Sequence, residues 1–393
     1  MTRLLAFVLA LLPLAAAAED RHFDSEKGRL QVTRIAGDLA HPWGLAFLPD
    51  GRMLVTERPG RLRIVTPDGQ VSGPVAGVPE VHARGQGGLL DVALDPGFAG
   101  NGLVYLSYAM PDGRGAATAV ARGRLDGDAL VDVQRVWVQQ PAVSGVDVHF
   151  GSRLVFARDG RLFVTTGDRN QRADAQRLDR GQGKVVRIES SGMVPADNPF
   201  ASRGDALAEV WSYGHRNIQG AALHPATGEL WTHEHGPRGG DEINIARAGR
   251  NYGWPVIGAG INYSGRPIPE TEGTEREGME QPLHLWNPSI APSGMAFYDH
   301  DRFPAWRGNL FVGALAFQLV ARLELDGERV VHEERILLDL KQRIRDVRVG
   351  PDGYLYLLTD SPRGELLRVG LVDAADATAD GDGDQDDDEG EGG

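Results

Sequence analysis

Three groups of side chains in this sequence are of types that move protons or hold small anions. His149 can accept a proton near neutral pH, and Asp168, on the same repeat unit, is suited to orient the imidazole and stabilise its protonated form. Arg216, Arg343 and Arg345 carry planar guanidinium forks that match carboxylates or phosphates, which points to a compact, multiply anionic ligand. A salt bridge between neighbouring segments, with Asp346 or Asp360 as partner, is the other use such arginines have. From His233 to Asn244, Gly-Pro and Gly-Gly steps free backbone carbonyls from strand pairing, while Glu234, Asp241 and Glu242 add hard oxygens. That donor set suits calcium better than zinc. A zinc site on His233 and His235 is the alternative, and an HExxH pattern is absent.

Residues so distant in sequence meet only if the fold gathers them, and the chain repeats in a way that would. One unit recurs six times: an apolar strand, a tight turn rich in Pro, Asp and Gly, and a second apolar strand. The turns fall near residues 50, 96, 159, 226, 306 and 352. Alternating apolar residues around such turns mark β-hairpins, and no long helical periodicity intervenes. Blades of roughly 40–50 residues with inserted loops account for the spacing. The expected fold is therefore all-β, a six-bladed propeller of four-stranded antiparallel blades, whereas a pair of β-sandwiches would show no common unit. If each unit begins with its blade's inner strand, the residues before that strand and those after the second strand share one end of the central channel. These are His41 and Trp43; Gln86; Asp147 and His149; Arg216, Asn217 and Gln219; Ser289 and Ser293; and Arg343, Arg345 and Asp346. The strand exits add Glu57, Asp168, His233 to Pro237, and Asp360. Polar residues from every blade imply a binding site at that end.

Whole-chain numbers narrow the class. The 393 residues contain no cysteine, so disulfides, thiolate metal sites and thiol nucleophiles are excluded. The formal charge is −14, but residues 371–393 hold eight Asp and two Glu without Lys or Arg, which leaves −4 for the rest. A nearly balanced body lacks the basic face a nucleic-acid binder needs. Residues 1–18 read as a secretory signal: Arg3, an apolar run from Leu4 to Leu14, and Ala16-Ala17-Ala18 before Glu19. The run is interrupted by Pro13 and falls short of the roughly 20 residues that span a bilayer, so the mature protein is expected to be periplasmic or secreted, with no transmembrane segment. The propeller is expected over residues 19–370. Residues 371–393 read as a disordered acidic tail, since an EF-hand starting at Asp380 would need glycine where Gln385 stands.

An ordered series of short motifs goes further: His41-Pro42-Trp43-Gly44, Gly85-Gln86-Gly87-Gly88-Leu89-Leu90-Asp91, His149 with Gly151-Ser152-Arg153-Leu154, Gly167-Asp168, and Gly214-His215-Arg216-Asn217-Ile218-Gln219-Gly220. They continue with His235-Gly236-Pro237 through Asp241-Glu242-Ile243-Asn244, Asn251-Tyr252-Gly253-Trp254-Pro255, Ile261-Asn262-Tyr263-Ser264-Gly265, and Arg343-Ile344-Arg345-Asp346. Each is weak alone. In order, over roughly residues 28–370, the series resembles the soluble aldose sugar dehydrogenases of the glucose/sorbosone dehydrogenase family, exported propellers that depend on pyrroloquinoline quinone (PQQ).

The resemblance implies an oxidoreductase that takes an aldose at its anomeric carbon to a lactone and passes electrons to an external acceptor, a cytochrome or quinone. It implies His149 as general base, oriented by Asp168, with Arg216 stabilising charge that develops on the cofactor. Gln86, Arg216, Asn217, Tyr263, Arg343 and Arg345 are the implied contacts to PQQ. The carbonyls of Gly236 and Pro237 are the implied ligands of a cofactor-bound Ca2+, and Glu242 and Tyr252 of a second, structural one. Related enzymes often carry a lysine that reaches the cofactor where Gly313-Ala314-Leu315 is here followed by Ala316, and Val148 precedes the histidine where some members have an acid. The residues alone also allow a calcium-dependent propeller lactonase, in which histidine activates water, or a non-catalytic binding propeller. The lactonase has no need of three arginines. Sugar preference depends on inserted loops such as 262–285.

Overall fold

The computed structural model describes residues 20–372. The expected signal and residues 373–393 of the expected tail lie outside them. Each of the six turns joins two antiparallel strands: Pro42–Phe47 to Met53–Glu57, Leu89–Leu94 to Leu103–Asp112, Gly151–Phe156 to Leu162–Thr166, Ile218–Leu223 to Leu230–Glu234, Pro292–Phe297 to Leu310–Ala314, and Ile344–Val349 to Leu355–Thr359. Short runs of Leu, Val, Ile and Phe suit a pleated surface buried on both faces. The first strand of each hairpin contacts the first strands of both neighbouring hairpins, and the ring closes from Ile344–Val349 back to Pro42–Phe47. This is the six-bladed, all-β propeller that the repeat predicts.

Blades 3, 4 and 5 have four strands each; blade 1 has three, with a bridge between Val65 and Val71 beyond its third. Blade 6 is completed by Leu30–Leu39, which pairs antiparallel with Gly364–Leu371, so strands from the two ends of the propeller close the ring. That last strand runs one residue into the span expected as tail. Between blades the core is sheet against sheet, as where Tyr105, Val120 and Trp137 of blade 2 meet Leu154, Val164 and Val186 of blade 3. Each fully buried aliphatic side chain there contributes about 1.5–3 kcal/mol.

Two features are specific to the channel. A hydroxyl on the second strand clips its blade to the next: Ser107 Oγ accepts from the Asp91 amide at 2.9 Å and donates to the Ser152 carbonyl at 2.6 Å. Thr56 and Thr165 repeat the arrangement in blades 1 and 3. In addition, all six inner hairpins break register near the mouth, between Pro42 and Leu45, Leu89 and Val92, Gly151 and Leu154, Ile218 and Gly220, Pro292 and Met295, and Ile344 and Asp346. A bulge re-aims the side chains it contains, and here it turns Trp43, Asp91, Arg153, Gln219 and Arg345 into the channel region.

Candidate active site

His149 precedes the inner strand of blade 3 in the left-handed region, at φ 55°. Its backbone N–H donates to Gln86 Oε1 of blade 2 at 2.8 Å. The ring Nδ1 lies 2.7 Å from Asp168 Oδ1. The carboxylate can only accept, so Nδ1 carries the proton and Nε2 keeps its lone pair. Gly167 makes this contact possible: a Cβ there would stand 2.0 Å from the His149 carbonyl oxygen, so only glycine lets the exit of the second strand pass beneath the histidine. Asp168 is held on all sides, accepting also from the Asn170 amide at 2.7 Å and from Trp254 Nε1 at 2.8 Å, while its own N–H donates to the Arg216 carbonyl at 2.7 Å.

Electrostatics favours the neutral ring. Burial lowers the proton affinity of His149, Asp168 partly opposes this, and the charges of Arg216 and Arg169 add to it, leaving the pKa below the usual 6.5. Burial alone would raise Asp168, but the hydrogen bond and charge of His149, with Arg216, hold it below the ordinary carboxylate range. An ionised carboxylate thus backs an imidazole ready to accept a proton.

Next to this pair opens a cavity of about 300 Å³ whose lining includes Gln86, Asn217, Gln219, His235, Arg343 and Arg345. Arg345 donates to Gln219 Oε1 at 3.2 Å and to Asp360 Oδ2 at 3.0 Å, and its Nε is buried without a partner. Arg343 shares Asp360 Oδ2 at 3.1 Å and donates to the Leu315 carbonyl at 3.0 Å. The salt bridge weighed from sequence is therefore present through Asp360, but within blade 6 rather than between blades; the contact that crosses to blade 1 is His41 Nδ1, 3.2 Å from Asp360 Oδ1. Burial would raise Asp360, but Arg345, His41 and Arg343 hold it well below the carboxylate range. Sequence reasoning missed Arg58, which lines the same cavity and donates to the Gly85 carbonyl at 2.6 Å. Its signal was its position directly after the strand exit at Glu57. Three guanidinium groups and one carboxylate leave the cavity net positive.

A second cavity, of about 20 Å³, is bounded by Gly236, Pro237, Glu242 and Tyr252, with Glu234 and Trp254. It has room for one water or ion. Burial and the neighbouring Glu234 charge push Glu242 up to about 8, and its side chain accepts one hydrogen bond, from Asn244 Nδ2 at 3.1 Å. A buried acid in that state fits a hard cation. Among the described residues no group of three His, Asp or Glu side chains is placed to hold a metal, so carbonyls and water must supply the remaining ligands. The Tyr252 hydroxyl is committed to the Ile245 carbonyl and the Arg247 amide, which leaves only its backbone carbonyl. The carbonyl of Gly236 accepts from Arg216 Nη1 at 2.8 Å, with a second lone pair to spare.

Residues 39–368 match the family model for glucose/sorbosone dehydrogenases. The chain belongs to that family. It is a sugar dehydrogenase, an oxidoreductase. An aldose sugar dehydrogenase of Escherichia coli is 52% identical over 344 residues, covering 86% of this chain and 92% of its own. The crystal structure of a soluble aldose sugar dehydrogenase from E. coli, in the apo-form, has a TM-score of 0.85 at 50% identity, covering 87% of this chain and 100% of that one. The PQQ-bound form of an aldose sugar dehydrogenase from Streptomyces coelicolor has a TM-score of 0.71 at 27% identity, covering 87% and 98%.

Within this sugar dehydrogenase several residues expected at the mouth stand elsewhere. Asp346 is 1% exposed and points down the channel, because the bulge after Ile344 sends Arg345 to the cavity instead. Glu57 is fully buried and bonded to Arg61, Arg63 and the Ala40 amide. Asp147 pairs with His82 Nε2 at 2.6 Å. Ser289 binds Asp241, and Ser293 the Ile344 carbonyl. Tyr263 is 73% exposed on its loop and does not line the cavity. The zinc alternative lacks ligands: His235 Nε2 is taken by the Pro292 carbonyl at 2.6 Å, and no group of three His, Asp or Glu side chains among the described residues is placed to hold a metal.

Proposed function

We propose that this enzyme oxidises aldose sugars at the anomeric carbon to lactones, using PQQ with calcium beside it, after export to the periplasm. The observation that carries the reading is an Asp168-backed His149, bonded through its backbone N–H to the wall residue Gln86 and adjoining Phe150, beside a cavity holding three guanidinium groups against one carboxylate. A fused-ring tricarboxylate fits those donors: Nε of Arg345 has no partner, and the amide nitrogens of Gln86 and Asn217 supply further hydrogens. Bound there, PQQ supplies a two-electron acceptor and calcium a Lewis acid. Tyr263 joins the contacts only if loop 262–285 folds inward.

For its part, the chain binds the aldose against His149, whose Nε2 takes the anomeric hydroxyl proton, and Asp168 stabilises the imidazolium that results. Arg216, 6% exposed, presents its remaining N–H groups to charge developing beside it. Electrons leave the enzyme through an external acceptor, a cytochrome or quinone. Export rests on the leader-like residues 1–18, and no helix among the described residues is long and apolar enough to cross a membrane.

Reconstitution tests the reading: purified protein is mixed with PQQ and calcium, then screened with aldoses and a redox dye. A quinone absorbance change with dye reduction is expected, and neither appearing would overturn it. Lactone hydrolysis without added quinone would favour the hydrolase instead. Because the pKa of His149 lies below 6.5, the base is neutral and active down to that lowered value. The acid limb of kcat/KM is expected below pH 6.5, and a midpoint above it would contradict the assignment.

Calcium has its own readout. Wild-type protein is expected to melt at higher temperature with calcium, by about 2.7 kcal/mol of stabilisation at a hundredfold excess over Kd. Glu242→Gln removes the one charged ligand of the small cavity and should abolish most of that increment while leaving the metal-free protein at least as stable. An equal calcium response in both proteins would place the ion elsewhere.

A further inference from the structure

Trp254 is the residue near the site that no part of the reaction yet uses. It lies in the long insertion of blade 4, between the strands Asp241–Ile245 and His284–Trp286, and is 6% exposed. Its indole Nε1 donates to Asp168 Oδ2 at 2.8 Å. Its ring face stands 5.4 Å from the Arg216 guanidinium carbon. Its backbone is fixed independently, with the N–H donating to the Gly214 carbonyl at 2.9 Å and the carbonyl accepting from Gln176 Nε2 at 2.7 Å.

We propose that Trp254 is a positioning residue for the reaction, anchoring the Asp168 carboxylate against His149 and the Arg216 guanidinium beside it through one indole ring. This rests on His149 being the base. The carboxylate has two oxygens to place. Oδ1 takes His149 Nδ1 and the Asn170 amide, and Oδ2 has Trp254 as its side-chain donor. The terminal torsion of an aspartate is soft, so without the indole N–H the carboxylate can rotate and the imidazole loses its fixed plane. The same ring supplies an aromatic face to Arg216, and tryptophan gives the strongest such face. One side chain from an inserted loop thereby sets the two charged groups that flank the base, from blade 3 and from the link into blade 4. Arg169 on the Asp168 loop also faces His149, and Arg172 lies 5.9 Å from the indole centroid. Neither reaches Oδ2.

Trp254→Phe keeps an aromatic face and removes the N–H. Without that donor the Asp168 charge falls more fully on His149, so proton affinity of the imidazole should rise roughly threefold to tenfold. NMR titration of the His149 ring in cofactor-free protein reads this directly, and unchanged titration in the variant overturns the proposal. In the reconstituted enzyme the acid limb of kcat/KM should move to higher pH and kcat should fall with KM little altered; a change confined to KM also overturns it. If Trp254→Phe does not fold, the wild-type Trp254 Nε1–H resonance serves. It should shift with the same midpoint as His149, and a resonance flat across that midpoint refutes the coupling. Failure of the sugar-oxidation reading would appear separately, as no aldose oxidation by reconstituted wild type while these apo-protein titrations stand.

Discussion

His149→Ala is expected to lower kcat for aldose oxidation by a factor of about 10²–10⁴, the span that a positioned general base contributes, while KM changes little. The imidazole donates Nδ1–H to Asp168 and leaves Nε2 as the acceptor, so truncation removes the proton acceptor without disturbing the arginines across the cavity. Asp168→Asn should also depress kcat, because an amide can turn its NH2 to Nδ1 and select the wrong tautomer. Both variants must first be shown to take up PQQ as wild type does, by absorbance titration. The arginines predict the complementary split. Arg345→Ala removes a cavity guanidinium and should weaken cofactor uptake, with oxidation recovering as PQQ is raised. Full sugar oxidation by His149→Ala with cofactor saturating would remove the histidine from the chemistry.

That pairing was legible in the sequence for a physical reason. His149 and Asp168 belong to one hairpin, and antiparallel pairing forces the residue before one strand and the residue after the next to the same end. The six turns were legible because Pro, Asp and Gly punctuate them, and the strand alternation fixed an all-β array. The PQQ and calcium reading came from the family resemblance, since no rule of spacing names a ligand. What could not be read was which side chain at each mouth faces inward. Simple alternation would send Arg345 and Asp346 to opposite faces of one strand, but the bulge after Ile344 gives Arg345 to the cavity and Asp346 to the channel below. Glycine marks four of the six breaks, at Gly44, Gly151, Gly220 and Gly294, but the one between Ile344 and Asp346 holds none. Arg58 and the role of Trp254 were missed for another reason: one follows a charged residue at a strand exit, and the other, though part of the Asn251–Pro255 motif, sits in a long insertion where periodicity is silent, so only tertiary contact reveals what they do.

The same bulges build the channel floor, which is the basis of the second large effect. Arg153, 2% exposed, lies 3.2 Å from Asp91 Oδ1 and 3.0 Å from Asp346 Oδ1, and Arg348 bonds both carboxylates at 2.8 and 2.9 Å. Inner-strand amides of adjoining blades also bond these carboxylates: Leu154 N–H donates to the other oxygen of Asp91 at 2.9 Å, and Leu45 N–H to Asp346 Oδ2, which it shares with Arg348, at 3.2 Å. Arg153 also donates to the carbonyls of Gln219 and Arg345 and lies 4.2 Å from the Trp43 ring centroid. Blade 5 contributes space: a Cβ at Gly294 would come within 2.2 Å of Asp346 Oδ1. All six blades thus meet at one buried ion cluster. Asp346→Ala leaves two guanidiniums facing a single carboxylate and orphans the Leu45 amide, so it is expected to cost about 3–5 kcal/mol. For a domain of about 350 residues that is a fall of roughly 5 °C in Tm. Arg153→Met combined with Asp346→Leu should recover part of the loss, since the cost comes from the unpaired charge rather than from the missing pair. Because Arg153 holds the Arg345 carbonyl, the double variant, which removes Arg153, should loosen the cavity wall and weaken PQQ uptake more than the single variant does, even as it recovers stability. A melting temperature within a degree of wild type for Asp346→Ala would mean that water enters the channel and solvates the arginines, and that sheet packing alone holds the ring.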